Sequence, residues 1–326
     1  MKRDSAMNIQ RVACVGAGLI GQGWATIFSS RGLEVILQDI SMEILNESMR
    51  RVRANLGFLE AHGFLLEGDA DSSIARISTT IHIADALDQV DYVQESVPDR
   101  YEIKKAVFRE MDAAAPDHAV LASSASGLLM TEIQKVTTRP ERCVMAHPLL
   151  PAHLIPVVEI VGGGQTSRDT VEVTRAFMAW LGKTPVVLNR EVSGYIVNRL
   201  QAALLREAID LVDKGVASPE EVDKAFCRGT GLRDPLIGPF LKMHLTGNGI
   251  EGFIKNFAQS YRYRWETMES WTSIPPSAIE AVVKGTKEMG IVQGKSLNEI
   301  KAWRDEMLAK LLGLVDCAPH TVSVED

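Results

Sequence analysis

A histidine and a glutamate are the residues of this sequence best suited to acid–base chemistry. His147 follows the apolar run 142–146, and Glu159 lies inside a second apolar run, 157–161. An imidazole exchanges a proton near neutral pH, so it can take the proton of an alcohol. A buried carboxylate needs a partner, and a hairpin of the two runs would bring Glu159 to face His147. We therefore predict His147 as a general base that Glu159 orients and stabilises when charged.

Two alternatives to this pair remain open at the level of sequence. In the first, both residues are structural: His147 is a core histidine whose hydrogen bonds are satisfied, and Glu159 belongs to an ion pair. His153 lies close to His147 in the chain, so it is the rival candidate for the base.

A glycine-rich turn precedes these residues. An apolar run ends in Gly16, and Gly18 and Gly21 complete a GxGxxG pattern. Gly16 permits a tight turn, Gly18 lets the backbone approach a pyrophosphate, and Gly21 lets the following helix pack on the strand. The phosphates would meet free N–H groups at the start of the helix, around Leu19 and Ile20. The turn predicts a dinucleotide site.

An acidic residue ends the second predicted strand. Asp39 follows the apolar run 33–37, at the distance from the glycines where a carboxylate meets the ribose hydroxyls. Such a carboxylate would repel a 2′-phosphate, so NAD is favoured over NADP. The alternative is a glycine turn in a sheet protein that binds no nucleotide.

Strand-like apolar runs alternate with helix-length segments in the first part of the chain. The runs are 11–16, 33–37, 77–81, 92–93, 120–123, 142–146, 157–161 and 184–188. This alternation is typical of a parallel sheet with right-handed crossovers. Only helical patterns follow, at 194–214, 219–228, 249–268 and 297–314. We predict the α/β class: a Rossmann-type doubly wound, mostly parallel sheet in residues 1–190, then an all-α second domain in residues 191–326.

Charge and composition limit the partners. The formal net charge is −7, which argues against a nucleic-acid partner because such a partner needs a basic face. The cysteines Cys14, Cys143, Cys227 and Cys317 show no CxxC spacing, so we expect neither disulfides nor a metal site. No apolar run approaches the length of about 18 residues that a membrane helix needs. We expect a cytoplasmic enzyme whose final segment, 317–326, is frayed.

Several motifs together resemble the 3-hydroxyacyl-CoA dehydrogenase superfamily over nearly the whole chain. They are VGAGLIG (15–21), ASSASGL (122–128), AHPLLPAHLIPVVEIV (146–161), SGYIVNRL (193–200) and IGPF (237–240). Within the superfamily, ESVPDRYEIKKAVF (95–108) and GLRDPLIGPFLKMHL (231–245) are similar to the lambda-crystallin branch. The resemblance implies NAD-dependent oxidation of a hydroxyl group on a small 3-hydroxy acid or acyl substrate.

The resemblance also implies roles for individual residues. His147 matches the catalytic base and Glu159 its acidic partner. Ser126 matches the serine that hydrogen-bonds the substrate oxygen, and Asn198 matches the asparagine that completes the site. Two further residues fall on the cofactor side: Lys104 matches a lysine of the cleft, and Asp99 stands where relatives usually carry a glutamate.

One position departs from the family pattern. Relatives usually read His-x-x-Asn-Pro, whereas this chain carries Leu150 in place of the asparagine. Leucine cannot form a hydrogen bond, so the contact to the cofactor carboxamide or the polarity of the substrate differs here.

Arg233 decides between a free acid and a thioester. A guanidinium binds a carboxylate through two parallel hydrogen bonds, and the lambda-crystallin branch, whose substrate is a free acid, has an arginine here too. We therefore expect Arg233 to bind the carboxylate of an L-gulonate-like 3-hydroxy acid. A surface ion pair between Arg233 and Asp234 is the alternative.

Other functions remain possible. A quaternary ammonium, as in L-carnitine, would suit the second domain's aromatic residues, which are Tyr261, Tyr263, Trp265 and Trp271. A short-chain acyl-CoA substrate would suit a basic cluster, which is Arg50, Arg51 and Arg53. A non-catalytic nucleotide-binding protein is a further alternative. By analogy with relatives, we expect a homodimer that forms through the helical domain.

Overall fold

The computed structural model describes residues 9–315. Cys317 and the prediction for the final segment therefore lie outside the described residues. The chain divides into two compact units between Arg199 and Leu200. The predicted boundary near residue 190 follows the last strand, whereas this division falls inside a helix, Val197–Asp213.

The first unit is built on one eight-stranded sheet. Its strands are β1 (Arg11–Val15), β2 (Glu34–Gln38), β3 (Ile77–Thr80), β4 (Tyr92–Glu95), β5 (Val120–Ser123), β6 (Cys143–Pro148), β7 (Val157–Gly162) and β8 (Thr184–Val187). Their order is β3-β2-β1-β4-β5-β6-β7-β8. Every neighbouring pair is parallel except β6 and β7, which are antiparallel. The predicted Rossmann-type, mostly parallel sheet is therefore confirmed.

Helices cover both faces of this sheet. They are α1 (Leu19–Ser30), α2 (Met42–Ala61), α3 (Asp69–Ile74), α4 (Ile83–Ala86), α5 (Tyr101–Ala114), α6 (Met130–Ile133) and α7 (Arg168–Trp180). Serines begin two of them: the hydroxyl of Ser41 accepts the N–H of Ile44 in α2, and Ser167 accepts that of Thr170 in α7. Each cap satisfies an N–H group that has no partner inside its own helix.

Two apolar cores hold the sheet between its helices. On one face, Phe28 of α1 stacks on Trp24 at 5.3 Å and on Phe177 of α7 at 5.8 Å, and Tyr92 of β4 packs against both phenylalanines. On the other face, Phe108 and other side chains of α5 pack on β4 and β5. Central strands buried on both faces are typical of parallel sheets. The packing fixes the carboxyl ends of the strands, where the predicted site residues lie.

The second unit contains helices joined by turns and loops, with no strand among residues 200–315. Its helices are α8 (Val197–Asp213), which begins in the first unit, α9 (Pro219–Ala225), α10 (Pro239–Thr246), α11 (Ile250–Trp265), α12 (Pro276–Glu288) and α13 (Leu297–Val315). The all-α prediction is confirmed for these residues, whereas α10 and α12 were not predicted from the sequence. Many large apolar side chains stay exposed, such as Phe240 at 79% and Trp265 at 65%.

Two properties of residues 9–315 bear on function. None of the helices in this range combines the length and apolar character needed to cross a membrane. Within the same range, no three histidine, cysteine, aspartate or glutamate side chains come together in an arrangement able to hold a metal ion.

Candidate active site

His147 and Glu159 are direct partners in the antiparallel pairing of β6 with β7. Nδ1 of His147 lies 2.9 Å from Oε2 of Glu159, and both side chains are buried. The hairpin predicted from the sequence is therefore present. His147 lies within β6 rather than after it, because the strand continues to Pro148.

The second oxygen of Glu159 is also bound. Oε1 accepts the backbone N–H groups of Ile196 at 2.8 Å and Val197 at 2.9 Å. Burial by itself would raise the pKa of Glu159, but the hydrogen bond from His147 and these two backbone hydrogen bonds outweigh it, so the pKa lies below its ordinary value. An ionised carboxylate only accepts hydrogen bonds, so Nδ1 of His147 must carry a proton. Nε2 is then the atom of His147 that can take a proton from a substrate.

Tyr195 supports the imidazole from the side. Its ring centre lies 5.2 Å from that of His147, and its hydroxyl donates to the carbonyl oxygen of Leu128 at 2.7 Å. Tyr195 has a φ of 48°, a left-handed conformation that is unusual for a bulky residue and often marks functional sites. Tyr195 lies within a motif that carries the family resemblance, but it was not predicted as a site residue. The signal for it was a tyrosine directly after a glycine in SGYIVNRL.

Ser126 is held at three of its atoms. Oδ2 of Asp99 accepts the Ser126 backbone N–H at 2.8 Å and its hydroxyl at 2.7 Å. Nδ2 of Asn198 donates to the Ser126 carbonyl oxygen at 3.2 Å. Next to it, the hydroxyl of Ser193 donates to the carbonyl oxygen of Gly127 at 3.0 Å. Three predicted site residues thus meet in one network.

Lys104 is buried beneath that network. Its ammonium lies 2.7 Å from Oε1 of Glu95, 2.9 Å from the carbonyl oxygen of Val97 and 3.2 Å from Oδ1 of Asp99. These three acceptors match the three hydrogens of an ammonium group. The cofactor role of Lys104 stays a prediction. Glu95 was not predicted as a site residue, although an acidic residue at the end of a short strand was a signal for it.

The glycine turn fits a dinucleotide. Gly16 has a φ of +95°, and a Cβ on Gly21 would lie 1.8 Å from the carbonyl oxygen of Gly16. A Cβ on Gly18, by contrast, would meet no atom within 4 Å, so the backbone there is open to a ligand. Leu19 and Ile20 begin α1 directly behind it, where helix N–H groups are without intrahelical partners.

Asp39 lies beside this turn, as predicted. One oxygen of its carboxylate accepts the N–H of Ala17 at 2.7 Å, and the other accepts the N–H of Ile40 at 2.7 Å. The acidic end of β2 is thereby fixed next to the glycines, where the ribose of a dinucleotide would lie. The roles predicted for the glycines and Asp39 in NAD binding fit this arrangement.

Comparison with known proteins decides the family. Residues 11–192 match the family model described as "3-hydroxyacyl-CoA dehydrogenase, NAD binding domain", and residues 194–290 match that of the C-terminal domain.

The chain belongs to the 3-hydroxyacyl-CoA dehydrogenase family.

Individual relatives are similar over nearly their whole length. An L-carnitine dehydrogenase of Oceanobacillus iheyensis is 34% identical and is aligned over 94% of this chain and 99% of its own. Lambda-crystallin of Oryctolagus cuniculus is 32% identical, over 93% and 95% of the two chains. The solved structure of 5-formyl-3-hydroxy-2-methylpyridine 4-carboxylic acid 5-dehydrogenase, an NAD⁺-dependent dismutase, has a TM-score of 0.80, 28% identity and coverage of 95% and 99%. This dehydrogenase is thus an NAD-dependent oxidoreductase that acts on a CH–OH group.

The loop between β6 and β7 carries the departure from the family pattern. Leu150 is 54% exposed in this loop of the dehydrogenase. His153, the rival candidate for the base, lies in the same loop and is half-buried. The Glu159 carboxylate faces His147 instead, which favours His147 over His153.

Arg233 belongs to the second unit of the dehydrogenase. It lines a cavity of about 300 Å³ together with Lys242, Phe253, Tyr261 and others. Asp234 pairs with Lys242, rather than with Arg233 as the alternative interpretation supposed. The Arg233 side chain is exposed, so its guanidinium is open to an anionic group.

The other predicted basic cluster is partly neutralised. Arg50 and Arg51 on α2 both pair with Glu47 of the same helix. Such pairs are typical of a solvated helix face, which weakens the case for this cluster as a CoA phosphate site.

Proposed function

We propose that this dehydrogenase oxidises the 3-hydroxyl group of a small free 3-hydroxy acid, of the L-gulonate type, to the 3-keto acid. The buried pair of His147 and Glu159 is the observation that carries this proposal. Its geometry leaves Nε2 of His147 to accept the hydroxyl proton, and general-base assistance of this kind contributes roughly 10²–10⁴-fold to a rate. Glu159 then stabilises the imidazolium that forms.

The remaining site residues bind and orient. NAD, when bound by the turn from Gly16 to Gly21 and by Asp39, supplies the acceptor for the hydride that leaves the carbinol carbon. Ser126 binds the substrate oxygen. The side-chain amide of Asn198 donates to the backbone carbonyl oxygen of Ser126 and so holds this residue in place. Tyr195 packs against the imidazole and keeps its orientation.

The cavity around Arg233 supports a free acid as substrate. A guanidinium in a partly enclosed site forms charge-assisted hydrogen bonds with a carboxylate, and such a bond is worth roughly 1.5–3 kcal/mol. A thioester carries no such charge at the corresponding position. We therefore assign Arg233 to the substrate carboxylate.

L-carnitine is a second candidate substrate. The relative from Oceanobacillus iheyensis is named for it, and Phe253 and Tyr261 add aromatic faces to the cavity of Arg233. Aromatic faces bind quaternary ammonium groups. However, the guanidinium of Arg264 already lies 4.1 Å from the centre of the Tyr261 ring, so one face of this ring is taken. A short-chain acyl-CoA remains the third candidate.

We also propose that the second unit forms a homodimer. Its exposed apolar side chains, with Phe240 at 79%, Leu314 at 73% and Trp265 at 65% among them, exceed what scattered surface residues normally present. We place the enzyme in the cytoplasm, where its buried cysteines Cys14 and Cys143 stay reduced.

Substrate profiling with two histidine variants tests the proposal. NADH absorbance would be followed with L-gulonate, L-carnitine, L-3-hydroxybutyrate and 3-hydroxybutyryl-CoA. We expect turnover of a free acid that His147→Ala abolishes and His153→Ala retains. Preference for the thioester would overturn the assignment of a free acid, and loss of activity in His153→Ala alone would overturn His147 as base. Absence of turnover with all four compounds would contradict the proposed substrate class.

A further inference from the structure

The hydroxyl of Ser124 joins side chains of α1 and of the sheet in a buried polar group. Nε1 of Trp24 donates to the Ser124 oxygen at 3.1 Å, and Nε2 of Gln94 donates to the same oxygen at 2.7 Å. Oγ of Ser96 lies 3.0 Å from it. Trp24, Gln94 and Ser124 are all buried. Three partners therefore meet one hydroxyl group that water does not reach freely.

The direction of two of these hydrogen bonds is fixed. The indole N–H of Trp24 can only donate. Nε2 of Gln94 also donates to the carbonyl oxygen of Ala146 at 3.2 Å, and Oε1 accepts the hydroxyl of Tyr92 at 3.3 Å. If the amide of Gln94 were reversed, its oxygen would face the Ala146 carbonyl oxygen, acceptor against acceptor. The NH₂ group of Gln94 is therefore the part that faces Ser124.

These two donors determine where the Ser124 hydrogen points. A hydroxyl group has two lone pairs and one hydrogen. Trp24 and Gln94 occupy both lone pairs, so the hydrogen of Ser124 is donated to Ser96. Among residues 9–315, Ser124 is the one side chain that hydrogen-bonds the Ser96 hydroxyl, and Ser96 is partly exposed. Ser96 accepts from Ser124, so it directs its own hydrogen away from the protein.

Ser96 lies beside the glycine turn. It directly follows β4, and its backbone N–H donates to the carbonyl oxygen of Val15 at 2.7 Å. Its Cβ lies 3.8 Å from the position that a Cβ on Gly21 would take. β4 borders β1 on the side opposite β2, whereas Asp39 follows β2. A dinucleotide with its adenosine ribose at Asp39 and its pyrophosphate at the turn therefore extends its nicotinamide half toward the side of Ser96.

We propose that the Ser96 hydroxyl donates a hydrogen bond to an oxygen of the nicotinamide half of NAD, and that Ser124 sets its direction. The acceptor is an oxygen of the nicotinamide ribose or of the carboxamide. A donor whose direction is fixed before binding loses little freedom when the ligand arrives. Ser96 was not predicted as a site residue. The inference rests on the proposed binding of NAD at the glycine turn.

Fluorescence titration with NADH tests this hydrogen bond without turnover. We expect Ser96→Ala to raise Kd for NADH about three- to tenfold, the loss expected for one hydrogen bond to a neutral acceptor. Kd for ADP, which lacks the nicotinamide half, should stay within twofold of the wild-type value. Ser30→Ala is the matched control, because the hydroxyl of Ser30 donates within α1 to the carbonyl oxygen of Ile27 at 2.8 Å. Thermal melts confirm that each variant is folded at the temperature of the titration.

ADP-ribose separates the two acceptors, since it carries the second ribose without the carboxamide. Weaker binding of ADP-ribose to Ser96→Ala assigns the hydrogen bond to the ribose. Unchanged binding of ADP-ribose with weaker binding of NADH assigns it to the carboxamide, and either result supports the proposal. An unchanged Kd for NADH, or equal weakening of NADH and ADP, would overturn it.

Two further variants test the direction of the hydrogen bond and the site beneath it. If Ser124 acts only through Ser96, adding Ser124→Ala to Ser96→Ala should leave Kd for NADH within twofold, and losses that multiply would overturn the role of Ser124. Asp39→Asn should weaken both NADH and ADP. If it weakens both while Ser96→Ala changes neither, the inference alone fails. If Asp39→Asn leaves both unchanged, the proposed NAD site fails with it.

Discussion

The carboxylate of Glu159 lies 2.9 Å from the backbone nitrogen of Val197, the first residue of α8. Free N–H groups at the start of a helix favour a negative charge. The other carboxylate oxygen of Glu159 faces His147, so one side chain links β6 to the helix that carries Asn198. The two oxygens of this carboxylate therefore have different partners: Oε2 faces the imidazole of His147, and Oε1 accepts backbone N–H groups.

Replacing this carboxylate by an amide should reverse the tautomer of His147. In Glu159→Gln, the N–H groups of Ile196 and Val197 require the amide oxygen on their side. The NH₂ group then donates to Nδ1 of His147, which moves the ring proton to Nε2 and removes the acceptor that a general base needs. We expect kcat to fall on the order of 10⁴-fold, by analogy with triads in which the orienting aspartate is made neutral.

Steady-state kinetics at pH 7 measure this loss. Glu172→Gln is the matched control, because Glu172 lies on the exposed face of α7 and pairs only locally with Arg175. A fall in kcat of less than threefold in Glu159→Gln would rule out the tautomer mechanism.

Two alanine substitutions in the glycine turn should have opposite consequences. A Cβ at position 21 would lie 1.8 Å from the carbonyl oxygen of Gly16, so Gly21→Ala should lower Tm sharply. A Cβ at position 18 meets nothing, so Gly18→Ala should keep its Tm and weaken NADH binding about tenfold or more. Thermal melts and NADH titration separate the two effects, and unchanged NADH affinity in Gly18→Ala would place the pyrophosphate elsewhere.

Substitution of Arg233 should separate acids from their neutral analogues. In Arg233→Met we expect KM for the acid to rise about tenfold or more, since a charged hydrogen bond is lost. KM for the corresponding methyl ester should stay within twofold. Arg262→Met serves as control, because Arg262 pairs with Glu266 along α11. An equal change of KM for acid and ester would show that Arg233 does not bind the carboxylate.

A buried lysine should make stability depend on pH. Nζ of Lys183 donates to the carbonyl oxygens of Ala152 at 2.6 Å and Ile155 at 2.8 Å. Burial, aided by the charge of Arg31, lowers the pKa of Lys183 from 10.5 to about 7. Between these values the unfolded chain binds more protons than the folded one, so the lysine contributes stability that is complete above the unfolded pKa and lost as pH falls through about 7.

Removing this lysine should flatten the profile. Relative to Lys183→Met, the free energy of unfolding of the wild type should rise between pH 7 and 10 by at most about 1.4 kcal/mol per pH unit. Denaturant melts at three pH values measure the slope. Lys284→Met, an exposed substitution on α12, should leave the slope unchanged, and parallel profiles for wild type and Lys183→Met would contradict the prediction.

The sequence by itself determined the features that depend on local geometry. The glycine turn could be predicted because its requirements, a positive φ at Gly16 and no Cβ at Gly21, arise within a few residues of chain. The facing of His147 and Glu159 could be predicted because one short hairpin joins their strands, and pairing in a hairpin follows from alternation along the two runs. The order of strands and helices in the first unit follows from the same periodicity.

Only the tertiary structure decided the contacts that depend on which strands are neighbours. Asp99 and Ser126 meet because β4 lies beside β5 in the sheet, and Glu159 meets Val197 because the chain returns to β7 after β8. No local pattern in the sequence specifies these contacts, because they arise from the packing of elements that lie far apart in the chain. For the same reason, the hydrogen bonds between Asp99 and Ser126 could not be predicted from the sequence, and the prediction that Asp99 also contacts the cofactor stays a prediction.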